Sequence, residues 1–146
     1  ERLAMGFHDA DDHHSQGNID KMRNRVALND EDRHPWLLDM AAQIVRWNSD
    51  GGAVLACSAL KHKYRQILSS TGQENVTFIH LDGDKNTILG RLLRREGHFF
   101  PSSLLESQLG ELEAPQDAIS VRIDGTPEEI CTDIIRELVS KGLTRS

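Results

Sequence analysis

Val76-Thr77-Phe78-Ile79-His80-Leu81, followed by Asp82-Gly83-Asp84, is the stretch that decides the fold. Its β-branched and aromatic residues suit a strand. The Asp-Gly-Asp turn then hands the chain to a helix with Ile88, Leu89, Leu92 and Leu93 on one face. The same strand-to-helix step recurs on both sides. Upstream, Ala53-Val54-Leu55-Ala56 is apolar throughout, the pattern of a strand buried on both faces. Tyr64, Ile67 and Leu68 mark the helix after it, which stops near Gly72. Further upstream, Phe7 to Asp9 reads as a short strand end. Leu37, Met40, Ala41, Ile44 and Val45 then form a helical stripe, with Pro35 in the first turn and Gly51-Gly52 past the end. Between these two lies a polar segment, Asp11 to Asp32, with few core candidates.

Downstream, Gly97 ends the helix that begins after Asp84. Ser103 and Glu106 have capping-box spacing. Ile119 to Ile123 alternates like a strand. Thr126-Pro127-Glu128-Glu129 opens a last helix: a cap, Pro at the first position and Glu at the third. Ile130, Ile134, Ile135 and Leu138 are its buried stripe, and Gly142 follows. Glu1 to Met5 reads as the last turn of a helix, with Gly6 just beyond. Alternating strands and helices predict an α/β fold, a parallel sheet with helices on both faces. In that architecture ligands bind beyond the carboxyl ends of the strands.

The bulk properties fit one such domain. The chain has 146 residues, a formal net charge of −6, 38% hydrophobic and 27% charged residues. The acidic balance argues against a nucleic-acid partner, which calls for a basic face. No stretch approaches a membrane span, so no membrane partner is expected. Cys57 and Cys131 are isolated, which suits a reducing, cytoplasmic compartment rather than a disulfide framework or zinc site.

Chemistry is sought just after each strand. Asp9 and Asp11 lie at i and i+2, and on an extended segment both carboxylates point one way. They form either a solvated acidic turn or a pair that holds Mg²⁺ and accepts a proton from a hydroxyl. Cys57-Ser58-Ala59-Leu60-Lys61 is a small-residue entry to a helix, where backbone N–H groups face an anion. Lys61 and Arg65, four apart, are solvated cations or anion ligands on one helix face. Arg91, Arg94 and Arg95 at i, i+3 and i+4 are an exposed basic face or a phosphate clamp. Gly97 and Pro101 bracket a flap-like segment. Arg33 pairs with a substrate carboxylate or a neighbouring acid, and Trp36 reads as a core anchor.

Taken together these blocks carry a resemblance. Phe7-His8-Asp9-Ala10-Asp11 with His14, Asn18-Ile19-Asp20-Lys21-Met22, and Leu28-Asn29-Asp30-Glu31-Asp32-Arg33-His34-Pro35-Trp36-Leu37 resemble the gluconokinase family. So do Cys57 to Lys61 with Tyr64-Arg65, Gly90-Arg91-Leu92-Leu93 leading to Gly97-His98-Phe99-Phe100, and Gln108, Leu112, Glu113 and Pro115. The resemblance runs in order over nearly the whole chain. It implies a three-layer P-loop kinase fold of the shikimate and nucleoside-monophosphate kinase type, as a single domain over 1–146 with a lid segment at about 91–115.

The implied reaction moves the γ-phosphoryl of ATP to the 6-hydroxyl of D-gluconate, with Mg²⁺ assisting. By the same resemblance Asp9 and Asp11 serve Mg²⁺ and the substrate hydroxyl, Asp9 holding the ion directly or through water. Asp11, His14, Arg33, Lys61, Arg65 and His98 bind the sugar acid. Arg91, Arg94 and Arg95 bind the phosphates, Arg91 and Arg95 with a catalytic part. A homodimer is the implied assembly.

Two departures stand out. Ser15 replaces the family's usual Pro after the histidine, which reads as a local loop change. No GxxxxGK[ST] occurs anywhere in the 146 residues. The expectation is therefore that the central first strand and its phosphate loop are missing from this chain, leaving an interrupted sheet with exposed apolar surface, and that kinase activity is impaired. A non-catalytic sugar-acid binder and a kinase for another small hydroxy acid are the alternative readings.

Overall fold

The computed structural model describes residues 1–72, 75–95 and 101–144. The chain divides into two compact units, Glu1–Val76 with Gly97–Glu113, and Thr77–Glu96 with Ala114–Ser146.

The first unit begins with strand β1 (Gly6–Asp9) and a 3-10 turn (Ala10–His13). Helices α1 (Gln16–Arg23) and α2 (Asp30–Ser49) follow, then strand β2 (Ala53–Ala56) and helix α3 (His62–Leu68). A second 3-10 turn (Ser102–Leu104) and helix α5 (Leu105–Glu111) complete it. The second unit holds strand β3 (Ile79–Asp82), helix α4 (Lys85–Leu93), strand β4 (Ile119–Arg122) and helix α6 (Pro127–Ser140). The alternation read from the sequence is present, and every strand pairing is parallel.

The strands form two separate two-stranded sheets, β1 with β2 and β3 with β4. In the first, Asp9 lies opposite Ala56, so both strands end at the same level. In the second, Asp82 lies opposite Arg122. The expectation that β2 is buried on both faces is corrected. Val54 is 40% exposed, and its register partner Phe7 is 67% exposed. One face of this ribbon is uncovered, so an apolar run here does not mean two buried faces. Leu81 of β3 is likewise exposed.

Helix α2 organises the first unit. Asn29 caps it, accepting from the Asp32 amide at 2.8 Å, while the Asp32 carboxylate accepts from the Asn29 amide at 3.0 Å. This box starts the helix ahead of Pro35, which lies inside the helix rather than in its first turn. Trp36, Leu37, Met40 and Ala41 are buried on one face. Full burial of Leu37 and Met40 contributes about 1.5–3 kcal/mol each. Tyr64 and Leu68 of α3 are buried with them, and Met22, Leu28 and Leu104 form a smaller cluster.

Three further expectations are corrected. Glu1 to Met5 is a turn, not a helix end. Ala4 has φ 53°, and Gly6 opens β1. The polar stretch after Asp11 contains α1, capped by Ser15, whose hydroxyl accepts from the Asn18 amide at 3.2 Å. Ser15 is thus a helix cap, not a neutral loop change. Ser103 does not cap α5, which continues from the 3-10 turn with Leu104 before its first residue and no side-chain cap.

In the second unit Ile119, Val121, Ile123, Ile130 and Leu138 are buried. Helix α6 has the capping box expected of Thr126 and Glu129, with Pro127 at its start. No described helix is long and apolar enough to cross a membrane.

Candidate active site

The carboxyl ends of β1 and β2 bring the first group of candidates together. Asp9 accepts the Asp11 amide on Oδ1 at 3.0 Å, which turns the chain into the 3-10 segment. The two carboxylates therefore do not stand on one extended strand, as their spacing suggested; Asp9 caps the turn and Asp11 lies in it. Both are partly exposed. Cys57, just past β2, feels them. Burial first, then the charges of Asp11 and Asp9, push its thiol up to about 12. A thiol so placed stays protonated and is no nucleophile.

This turn is fastened to α2. The Trp36 indole Nε1–H donates to the Ala10 carbonyl at 2.7 Å, in a wholly buried bond. The His14 ring stacks on Trp36 at 4.2 Å between centroids and 19° between planes. Trp36, expected as a core anchor, anchors the acidic turn as well. The Asn18 amide Nδ2 donates to the Asp32 carbonyl at 2.9 Å and contacts His14 Nδ1 at 3.3 Å. His14 Nε2 lies 3.8 Å from Asp11 Oδ1. Burial, then the Arg33 charge, lowers His14 to about 4 against the opposing pull of Asp9, so the ring is neutral at pH 7.

A cationic network adjoins these residues on α2 and α3. Arg33 is 5% exposed. Its Nη1 donates to Glu111 Oε2 at 2.6 Å and to the Tyr64 hydroxyl at 3.0 Å. The Tyr64 hydroxyl in turn donates to Asp30 Oδ1. Asp30 also accepts from Lys61 Nζ at 2.9 Å and from Lys63 Nζ. Hydrogen bonds from Lys63, Tyr64 and Lys61 hold the Asp30 carboxyl well below the usual range. The network satisfies the rule that a buried guanidinium needs a partner.

Lys61 and Arg65 do not share one helix face as expected. Lys61 precedes α3 as its cap residue, while Arg65 is buried within it. Arg65 Nη1 donates to the carbonyls of Ala59 at 2.7 Å and Leu60 at 3.2 Å, and Nη2 to that of Glu113 at 2.8 Å. The Glu113 carboxylate accepts the His62 amide at 2.8 Å. Asp30, Tyr64, Glu111 and Glu113 are the members that sequence reasoning gave no role. Their partners lie 31 to 78 positions away, beyond the reach of local spacing.

The second unit carries the three arginines read from the sequence as a phosphate clamp. Arg91, Arg94 and Arg95 line an open groove of about 690 Å³ with Asp124, Gly125, Thr126, Pro127 and Glu129. Arg91 Nη2 donates to the Gly125 carbonyl at 2.5 Å. Helix α4 ends at Leu93, so Arg91 is helical while Arg94 caps the end and Arg95 lies beyond it. His98 and Gly97 lie outside the described residues. Among the described residues no three His, Cys, Asp or Glu side chains form a metal-holding group on their own.

Known proteins of the same build exist, though no family model matches the chain. A probable gluconokinase of Dictyostelium discoideum is 40% identical over 93% of this chain and 74% of its own. The thermosensitive gluconokinase of Escherichia coli K12 is 46% identical over 84% of this chain and 66% of its own. The crystal structure of a gluconokinase from Sinorhizobium meliloti 1021 superposes with a TM-score of 0.82 at 34% identity, covering 96% of this chain and 80% of that one. Agreement in sequence and in fold over this much of the molecule makes the chain a member of the gluconokinase family.

Proposed function

We propose that the chain works in a gluconokinase reaction, moving the γ-phosphoryl of ATP to the 6-hydroxyl of D-gluconate. One observation carries the reading. Two carboxylates, a neutral imidazole and a buried, orientated guanidinium belong to one unit, at and beside the carboxyl ends of its parallel strands. Asp11 accepts the proton of the substrate hydroxyl as phosphoryl transfer proceeds. His14 offers the sugar acid an uncharged N–H. The Arg33 bonds to Tyr64 and Glu111 both use Nη1; the rest of the fork is suited to the gluconate carboxylate. Lys61 supplies a second positive charge, and Arg65 holds the turn that presents it.

The donor set also fits Mg²⁺, a hard cation that takes one or two carboxylates plus phosphates and water. Asp9, directly or through water, is the residue for it, and the ion supplies charge neutralisation on the phosphates. Arg91, Arg94 and Arg95 form the phosphate clamp of a lid at about 91–115 within a single kinase domain, and His98 is a further ligand of the sugar acid. We place the enzyme in the cytoplasm, as a homodimer without nucleic-acid or membrane partners.

The residues 1–146 contain no GxxxxGK[ST] loop. Sugar-acid binding is what they supply themselves, and phosphoryl transfer requires that loop. Calorimetric titration of the chain with D-gluconate and with shikimate tests the reading. Saturable binding of D-gluconate, lost in Arg33→Leu and weak for shikimate, is expected. A folded chain that binds neither would refute it.

A further inference from the structure

We propose that Asn18 is a positioning residue: its amide fixes His14 in the tautomer that carries its proton on Nε2, turned toward Asp11. The argument starts from a group that has no choice. The Asp32 carbonyl oxygen accepts and never donates. The side-chain atom of Asn18 that lies 2.9 Å from it is therefore the amide nitrogen, which settles the orientation of the amide. The same nitrogen lies 3.3 Å from His14 Nδ1 and turns its second hydrogen there. Two donors do not share a hydrogen bond, so Nδ1 carries a lone pair. A neutral imidazole with an unprotonated Nδ1 holds its proton on Nε2.

The surroundings keep the ring in that state. Asn18 is 7% exposed, and the His14 side chain is 3% exposed. Trp36 covers one ring face. The charged groups that face the ring are Asp9 and Asp11 from the acidic turn and Arg33 from α2, and a ring that accepts at Nδ1 carries one proton only. Nε2 then faces Asp11 Oδ1 at 3.8 Å. That is longer than a direct hydrogen bond. The N–H is placed to donate to a hydroxyl seated beside the carboxylate, or to the carboxylate itself after a small ring movement. With the opposite tautomer, a lone pair would face the negative oxygen and repel it.

Asn18 touches neither reacting group, so it acts through His14. The value of the tautomer to catalysis rests on the kinase reading; the tautomer itself does not. The test is a long-range ¹H–¹⁵N spectrum of the labelled 146-residue chain at pH 7, which reports which nitrogen of His14 is protonated. The expected result is a neutral ring protonated at Nε2. A ring protonated at Nδ1, or a doubly protonated ring, overturns the proposal without any variant. In Asn18→Asp the side chain only accepts, and the proton is expected to move to Nδ1; an unchanged tautomer counts against the proposal.

A second readout is the affinity for D-gluconate in Asn18→Leu. A loss of about tenfold is expected, the scale on which orienting partners of site histidines act. Retained affinity in a folded Asn18→Leu chain also counts against the proposal. If the unaltered chain binds no D-gluconate, the kinase reading fails while the spectrum still decides the tautomer.

Discussion

Two pairs of arginines, one pair in each unit, are held in opposite ways. In the first, Arg33 and Arg65 are buried and each makes two or more hydrogen bonds to Glu111, Tyr64 or main-chain carbonyls. In the second, Arg94 and Arg95 are exposed along an open groove. The difference separates two jobs. A buried guanidinium held by several hydrogen bonds is already orientated, at the cost that the fold depends on it. An exposed arginine contributes little to stability and lies where a polyanion in solvent reaches it. Substitutions of Arg33 and Arg65 should therefore lower stability and binding together, and those of Arg94 and Arg95 should change phosphate binding alone.

The largest expected effect is Arg33→Leu. It leaves the partly exposed Glu111 and the Tyr64 hydroxyl without their donor and should cost about 3 kcal/mol, the upper end for a hydrogen bond to a charged group. Urea unfolding measures it, and a loss below about 1 kcal/mol would place the pair with ordinary surface bridges. Trp36→Phe comes next. It keeps an aromatic face for His14 but removes the bond to the Ala10 carbonyl, leaving a buried acceptor unpaired. Destabilisation of about 1–3 kcal/mol is expected in the same assay, together with weaker D-gluconate binding because the acidic turn loses its anchor.

A pH-dependent effect follows from His14. Its folded value of about 4 lies below the ordinary 6.5. Between these values the unfolded chain binds a proton that the folded chain does not. The contribution is full above pH 6.5 and is lost as pH falls toward 4. Unfolding free energy measured across that range should decline, and His14→Gln should flatten the decline. The smallest effect on stability belongs to Arg94→Ala, within about 0.5 kcal/mol as for exposed side chains generally. Its consequence should appear in the affinity for ATP in a loop-bearing chain. A large loss of stability there would break the contrast between the units.

The same contrast marks what the sequence discloses. Helix α6 was legible because its cap, its Pro and its stripe lie within a dozen residues, and each acts locally. The strand-to-helix order was legible for the same reason. Helix α1 was not, because its only buried residues are Asn18 and Met22, too few for an apolar period. The start of α2 was misplaced because Pro35 is a stronger printed signal than the reciprocal Asn29–Asp32 pair that begins the helix. In the candidate site, Asp9, Asp11, His14 and Arg33 were picked out by their residue types in order, and the structure brings them into one unit. Asp30 and Glu111 were not, since a partner for a buried cation is defined by packing across the fold. Arg65 was read as a ligand, and the geometry gives its donors to carbonyls instead. Long-range satisfaction of charge is the part of this molecule that spacing does not encode.

The most direct test of the central claim is ADP release from ATP by the chain carrying a family phosphate loop at its amino end, with Mg²⁺ present. Release that depends on D-gluconate, is absent with shikimate and is lost in Asp11→Asn is the predicted result. A folded, loop-bearing protein that releases no ADP with D-gluconate would contradict the account, and would leave the first unit as a binding site without phosphoryl transfer.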